Sequence, residues 1–164
     1  MKGPGEMNFI SPSKGRLSFD DTFAELTTYV NESYEENYKL IIGTDSHAYI
    51  NDKVVFVTAI VIHRVGKGGR YFFHKRRHRY MESMRQRIFY ETLLSLEVAS
   101  RLTDKLLQNG FSELNIEIHL DVGEKGETRE IIKEVVGMVI GSGYDARIKP
   151  DSYGASKVAD RYTK

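Results

Sequence analysis

The sequence predicts an α/β fold: a mixed five-stranded sheet, three antiparallel strands then two parallel ones, flanked by helices and preceded by an extra N-terminal helix. Three observations predict it. Leu40-Ile41-Ile42 and Val54–Ile62 are continuous apolar runs, too short to span a membrane and rich in β-branched residues. Leu114–Asp121 alternates apolar and polar residues, the mark of a strand with two different faces. The longest stretch with apolar residues at helical spacing runs from about Met84 to Gln108, between the third strand and the fourth.

Ser18 can cap a first helix, with Asp20 and Asp21 at its positive end. Phe19, Phe23, Leu26 and Val30 form its apolar stripe, to about Glu32. Lys39–His47, Val54–His63 and Arg70–His78 read as strands joined by short links at Asn51-Asp52 and Gly66–Gly69. Short links make them an antiparallel meander. Asn109-Gly110 stops the long helix. Thr128–Ile140 is a further helix and Tyr144–Lys149 a short strand. Pro150 ends that strand, and Asp151 or Ser152 can cap a last helix. Right-handed crossovers then set the fourth strand parallel to the first.

At 164 residues the chain fits one domain. Residues 1–10, with Gly3, Pro4 and Gly5, are expected to be a flexible N-terminus, and residues 11–164 a single domain. There is no cysteine, which excludes disulfide frameworks and thiolate chemistry. No secretory leader or membrane-length apolar run is present, and a cytoplasmic location is expected. No Walker motif or dinucleotide fingerprint occurs, and Ser46 lacks the partners of a serine triad.

Three carboxylates stand where a core is expected. Asp45 ends the most apolar strand, where an ionised group needs pairing or a metal. It can equally begin the turn that follows. Glu91 lies on the stripe of the long helix with Ile88, Ser95, Ala99 and Leu102, unless it sits at the stripe's edge and reaches water. Glu97, four before Arg101, reads instead as a solvated pair. Asp121 ends the alternating strand. Parallel strands would bring Asp45 and Asp121 to the same end of the sheet, where α/β proteins build their sites. Such carboxylates suit Mg²⁺ or Mn²⁺. Two ions about 3.5–4 Å apart can activate a water against a phosphodiester. Asp160, in the last helix, is a candidate fourth ligand, with Asp151 competing as ligand or cap. His47 and His119, each two residues from a carboxylate, are auxiliary candidates for orienting a water or phosphate; both also read as ordinary polar-face histidines.

Between Lys67 and Arg87 stand eight basic residues against Glu82 alone, +7 within a chain of net charge +1. Lys75, Arg76, Arg77, Arg79, Arg85 and Arg87 are the candidates for holding nucleic-acid phosphates, and Tyr71, Phe72, Phe73, His74, His78 and Tyr80 are interleaved. The same charges could instead protect an edge strand from aggregation.

The order of elements, with Ile42-Gly-Thr-Asp-Ser-His47, His119-Leu-Asp-Val-Gly123, Lys149-Pro-Asp-Ser-Tyr153 and Ala159-Asp-Arg-Tyr-Thr163, resembles the ribonuclease H-like superfamily and, more closely, its YkuK family. The resemblance covers roughly residues 8–164; the N-terminal helix is an addition to the minimal layout. It implies a metal-dependent nuclease acting on RNA, RNA–DNA hybrid or structured DNA, with Asp45, Glu91, Asp121 and Asp160 around two Mg²⁺ or Mn²⁺. A non-catalytic nucleic-acid-binding module of the same fold is the alternative.

Overall fold

The computed structural model describes residues 7–48, 53–79, 81 and 83–152. Ser18 opens the first helix as expected, its Oγ accepting from the Asp21 N–H at 3.0 Å. The described elements are β1 (Asn8–Ser11), β2 (Gly15–Ser18), α1 (Phe19–Glu32), β3 (Tyr38–Ala48), β4 (Lys53–Arg64), β5 (Gly69–Arg79), α2 (Met84–Gln108), β6 (Ile116–His119), a 3₁₀ turn (Arg129–Ile131), α3 (Ile132–Gly141) and β7 (Asp145–Arg147). The strands form one sheet in the order β2-β1-β5-β4-β3-β6-β7.

The central part matches the expected topology. β3, β4 and β5 are an antiparallel meander, and β6 and β7 add in parallel beside β3. Among the described residues, however, the sheet has seven strands, not five. The two extra strands are the hairpin β1–β2, which pairs with β5 at Ile10↔Phe73. Residues 8–10, expected to be flexible, are thus strand. The hairpin is invisible to periodicity because each strand has four residues and one deeply buried side chain, Phe9, dominates its packing. It also changes the status of β5, which is flanked on both sides; β2 and β7 are the edges.

The main core lies on one face. Leu40 and Ile42 of β3 and Ile60 and Ile62 of β4 meet Phe23, Leu26 and Val30 of α1, Leu102 and Leu106 of α2, and Val135 and Val139 of α3. Burying each such side chain contributes about 1.5–3 kcal/mol. Smaller clusters, Val55, Val57 and Phe73 with Ile41 and Ala59, lie on the opposite face. The expected last helix begins where the described residues end, and Asp160 lies outside them.

One detail of register shapes the site. β6 ends level with Gly43, paired with His119, while β3 runs on to Ala48. Among the described residues, Thr44–Ala48 therefore have a strand neighbour on the β4 side alone. β3 outruns its parallel partner and leaves a notch in the sheet.

Candidate functional site

Asp45 sits inside β3, three residues before its end, so it does not begin a turn. Strand alternation places Thr44 and Ser46 under α2, and Asp45 and His47 on the opposite face. Hydrogen bonds fix this assignment. Thr44 Oγ1 lies 2.7 Å from Ser95 Oγ and 2.9 Å from Thr58 Oγ1. Ser46 Oγ donates to Glu91 Oε2 at 2.5 Å.

Glu91 is buried at 6% exposure, on the core side of α2 rather than at its edge. Burial pushes its carboxyl well above the usual carboxylate range; the charges of Asp45 and Asp121 push the same way, while Ser46 and Arg87 oppose them. The charges of Asp45 and Asp121 thus both reach Glu91. Asp121 follows β6 and accepts from Lys149 Nζ at 2.8 Å. That ammonium is itself raised, first by its bond to Asp121 and further by the charges of Asp45 and Glu91.

The notch explains the rest of the arrangement. Ser46 has no β6 neighbour, and its backbone is completed by side chains. Its N–H donates to Asp45 Oδ1 at 2.9 Å, and its carbonyl accepts from Arg87 Nη2 at 3.1 Å. Arg87 Nε also donates to Ser46 Oγ at 3.2 Å. A buried strand edge needs such partners, because an unpaired backbone group there is costly. Asp45, Ser46, Arg87 and Glu91 are therefore one hydrogen-bonded chain, with Asp121 and Lys149 beside it.

The donor set is all oxygen, and an ammonium stands among the carboxylates where a hard cation would be attracted, so its chemistry suits Mg²⁺ or Mn²⁺. Among the described residues, no three carboxylate or imidazole groups are close enough together to hold one metal ion.

The auxiliary residues separate. His47 is exposed on the face of Asp45. His119 is buried, its Nε2 3.2 Å from Glu117 Oε1, and burial lowers its proton affinity. Its described bond is to Glu117 rather than Asp121. Asp151 is exposed, and its N–H closes a turn onto the Ile148 carbonyl at 2.8 Å.

The basic ribbon is divided, not a single strip. Period-two alternation sends Lys75, Arg77 and Arg79 to the Asp45 face, where all three are exposed. Asp45, Val57 and Lys75 stand in one cross-strand row, and His47, Val55 and Arg77 in the next. Two strand spacings put Lys75 about 10 Å from Asp45. Arg76 goes to the other face and lies 3.6 Å from Glu97, which also pairs with Arg101 at 3.9 Å. Arg85 pairs with Glu134 at 2.6 Å, and Arg87 belongs to the carboxylate site. Phe72 and Phe73 are core, His74 bonds to the Asn8 carbonyl and His78 packs on Tyr90. Tyr80 lies outside the described residues.

Sequence reasoning missed Ser46 and Lys149 as members of the site. Ser46 has a signal: it shares its parity with Ile42 and so had to face the helix carrying Glu91. Lys149 has none within its own segment, because only the parallel pairing of β6 and β7 brings it beside Asp121.

The mixed sheet is consistent with a ribonuclease H-like fold, and the chain belongs to that family: the family model described as Ribonuclease H-like matches residues 21–164. The chain is also 36% identical to the uncharacterized protein YkuK of Bacillus subtilis (strain 168), in an alignment covering 95% of this chain and 96% of that relative. No solved structure matches the chain significantly.

Proposed function

We propose that this protein is a metal-dependent nuclease that hydrolyses phosphodiester bonds in RNA, RNA–DNA hybrid or structured DNA. Family membership supports a nucleic-acid-related function. The observation that carries the catalytic reading is Glu91: a carboxylate buried on α2, hydrogen-bonded to Ser46 and within the field of Asp45 and Asp121. Keeping Glu91 buried within the charge of two further carboxylates is expensive unless a cation is meant to bind there.

Asp45, Glu91 and Asp121 would hold Mg²⁺ or Mn²⁺, two ions in all, with Asp160 as the fourth ligand. Bound there, such ions supply Lewis acidity at the phosphate and lower the proton affinity of a water. The chain's own residues do the remaining work. Ser46 and Arg87 orient the Glu91 carboxylate, and Arg87 offsets its charge. Lys75, Arg77 and Arg79 hold the backbone of the nucleic acid on the Asp45 face.

A second reading, a nucleic-acid-binding module without catalysis, is favoured by one observation: no three metal-ligating groups close on one point among the described residues. One experiment separates the two. Labelled hybrid, duplex RNA and junction DNA are incubated with the protein in Mn²⁺ or EDTA, beside Asp45→Asn. Cleavage in Mn²⁺ that Asp45→Asn abolishes supports the nuclease. Binding without cleavage on every substrate, in wild type as in the variant, rejects it in favour of the module.

A further inference from the structure

We propose that Lys149 is the resident cation of the carboxylate cluster: its ammonium holds Asp121 while no metal is bound, and a divalent cation displaces it. The inference rests on the metal-binding reading above and adds a competitor to it.

The position of Lys149 is built rather than incidental. Its backbone N–H donates to the Val122 carbonyl at 2.9 Å, which ties it to the loop carrying Asp121. Its stem lies over Gly123, where an added Cβ would stand 3.2 Å from Lys149 Cβ and 3.5 Å from Cδ. A side chain at 123 would press on the stem, so glycine there leaves the lane along which Lys149 reaches Asp121. The ammonium then meets Asp121 Oδ1 at 2.8 Å, and the charges of Asp45 and Glu91 add to the attraction. The second cation of the site, Arg87, is held by two hydrogen bonds to Ser46 and acts on Glu91.

The two cations differ in how easily they leave. Arg87 is held by two hydrogen bonds and is partly buried. Lys149 makes one described bond through its ammonium, and its side chain is 58% exposed. It can swing into solvent on a four-carbon stem without moving the backbone. A divalent ion offers Asp121 twice the charge, and that attraction drives the exchange against the cost of removing the ion's water. The freed ammonium stays at the rim, where a phosphate of the nucleic acid is its natural partner.

The test is Mn²⁺ binding by calorimetry to the full chain with no nucleic acid present. Wild type is compared with Lys149→Met, Lys149→Arg and Asp121→Asn. Lys149→Met is expected to bind Mn²⁺ roughly tenfold more tightly than wild type, the effect of removing one partly screened charge beside the ion. Lys149→Arg keeps the charge and should stay close to wild type, and Asp121→Asn should bind more weakly. A damaged fold weakens binding, so a gain of affinity cannot come from misfolding. Lys149→Met binding no more tightly than wild type overturns the proposal, and so does Lys149→Arg matching Lys149→Met. Where wild type binds Mn²⁺ and Lys149→Met is unchanged, the role of the lysine fails alone. Where none of the four proteins binds Mn²⁺, the metal reading fails with it.

Discussion

Glu91 is the residue on which the pH behaviour of the fold should turn. Its carboxyl is raised by burial, so the folded chain keeps this proton to higher pH than the unfolded chain does. Stability is fully retained below the ordinary carboxylate range and declines as pH rises through the raised value. Glu91→Gln is neutral at every pH and keeps an oxygen to accept from Ser46. The variant should match wild type in acid and exceed it near pH 8, read from urea midpoints at both. A constant difference between the two proteins across that range would show that Glu91 does not titrate as described. Ser46→Ala should cost about 1–3 kcal/mol, because Glu91 and Arg87 both lose a partner inside the protein. Its removal should also weaken metal binding if the serine orients Glu91. At this scale the sequence was legible wherever a residue broke its own surroundings: Asp45 in an apolar strand and Glu91 on an apolar stripe. It was silent on Lys149, whose neighbours are assembled by pairing rather than by spacing.

Among the elements, β5 shows what alternation does to a charge run. Counted along the chain, the basic residues are one block; folded, every second one changes face. Neutralising Lys75, Arg77 and Arg79 together should weaken nucleic-acid binding and flatten its salt dependence, each phosphate contact contributing a slope of up to about 0.9 on duplex DNA. Neutralising Arg76 and Arg85 should do much less, since Glu97 and Glu134 already pair with them. Filter binding from low to high salt checks this, and equal losses in the two sets would contradict the division. α1 and α2 matched expectation because their caps, stripes and stop signals lie close together in sequence. The β1–β2 hairpin did not, because four-residue strands carry too few alternations to stand out.

Across the whole molecule, the hairpin completes the sheet beyond β5. Phe9 is fully buried in the main core and packs 6.1 Å from the Phe19 ring and 5.5 Å from His74. Phe9→Ala should destabilise the protein by about 3–5 kcal/mol. It should also loosen the hairpin from β5, exposing a strand edge that promotes association. Light scattering on mild warming reads that second effect, and a variant that loses stability without associating would show that the hairpin does not guard the edge. No helix among the described residues is long and apolar enough to cross a membrane. Net charge was the least informative whole-chain number: +1 is the sum of an exposed basic row, internal ion pairs and a carboxylate group, three features that meet different partners.

A continuous sheet is a wall between two compartments, and side chains on its two sides cannot normally cooperate. Asp45 and Glu91 start on opposite sides of that wall. Glu91 nevertheless feels the charge of Asp45, at the level where β3 runs on past the end of β6 at His119. The proposed chemistry therefore depends on a length mismatch between two strands as well as on the carboxylates themselves. Extending β6 by two residues would close the window, leave every carboxylate in the sequence, and separate them by a layer of backbone.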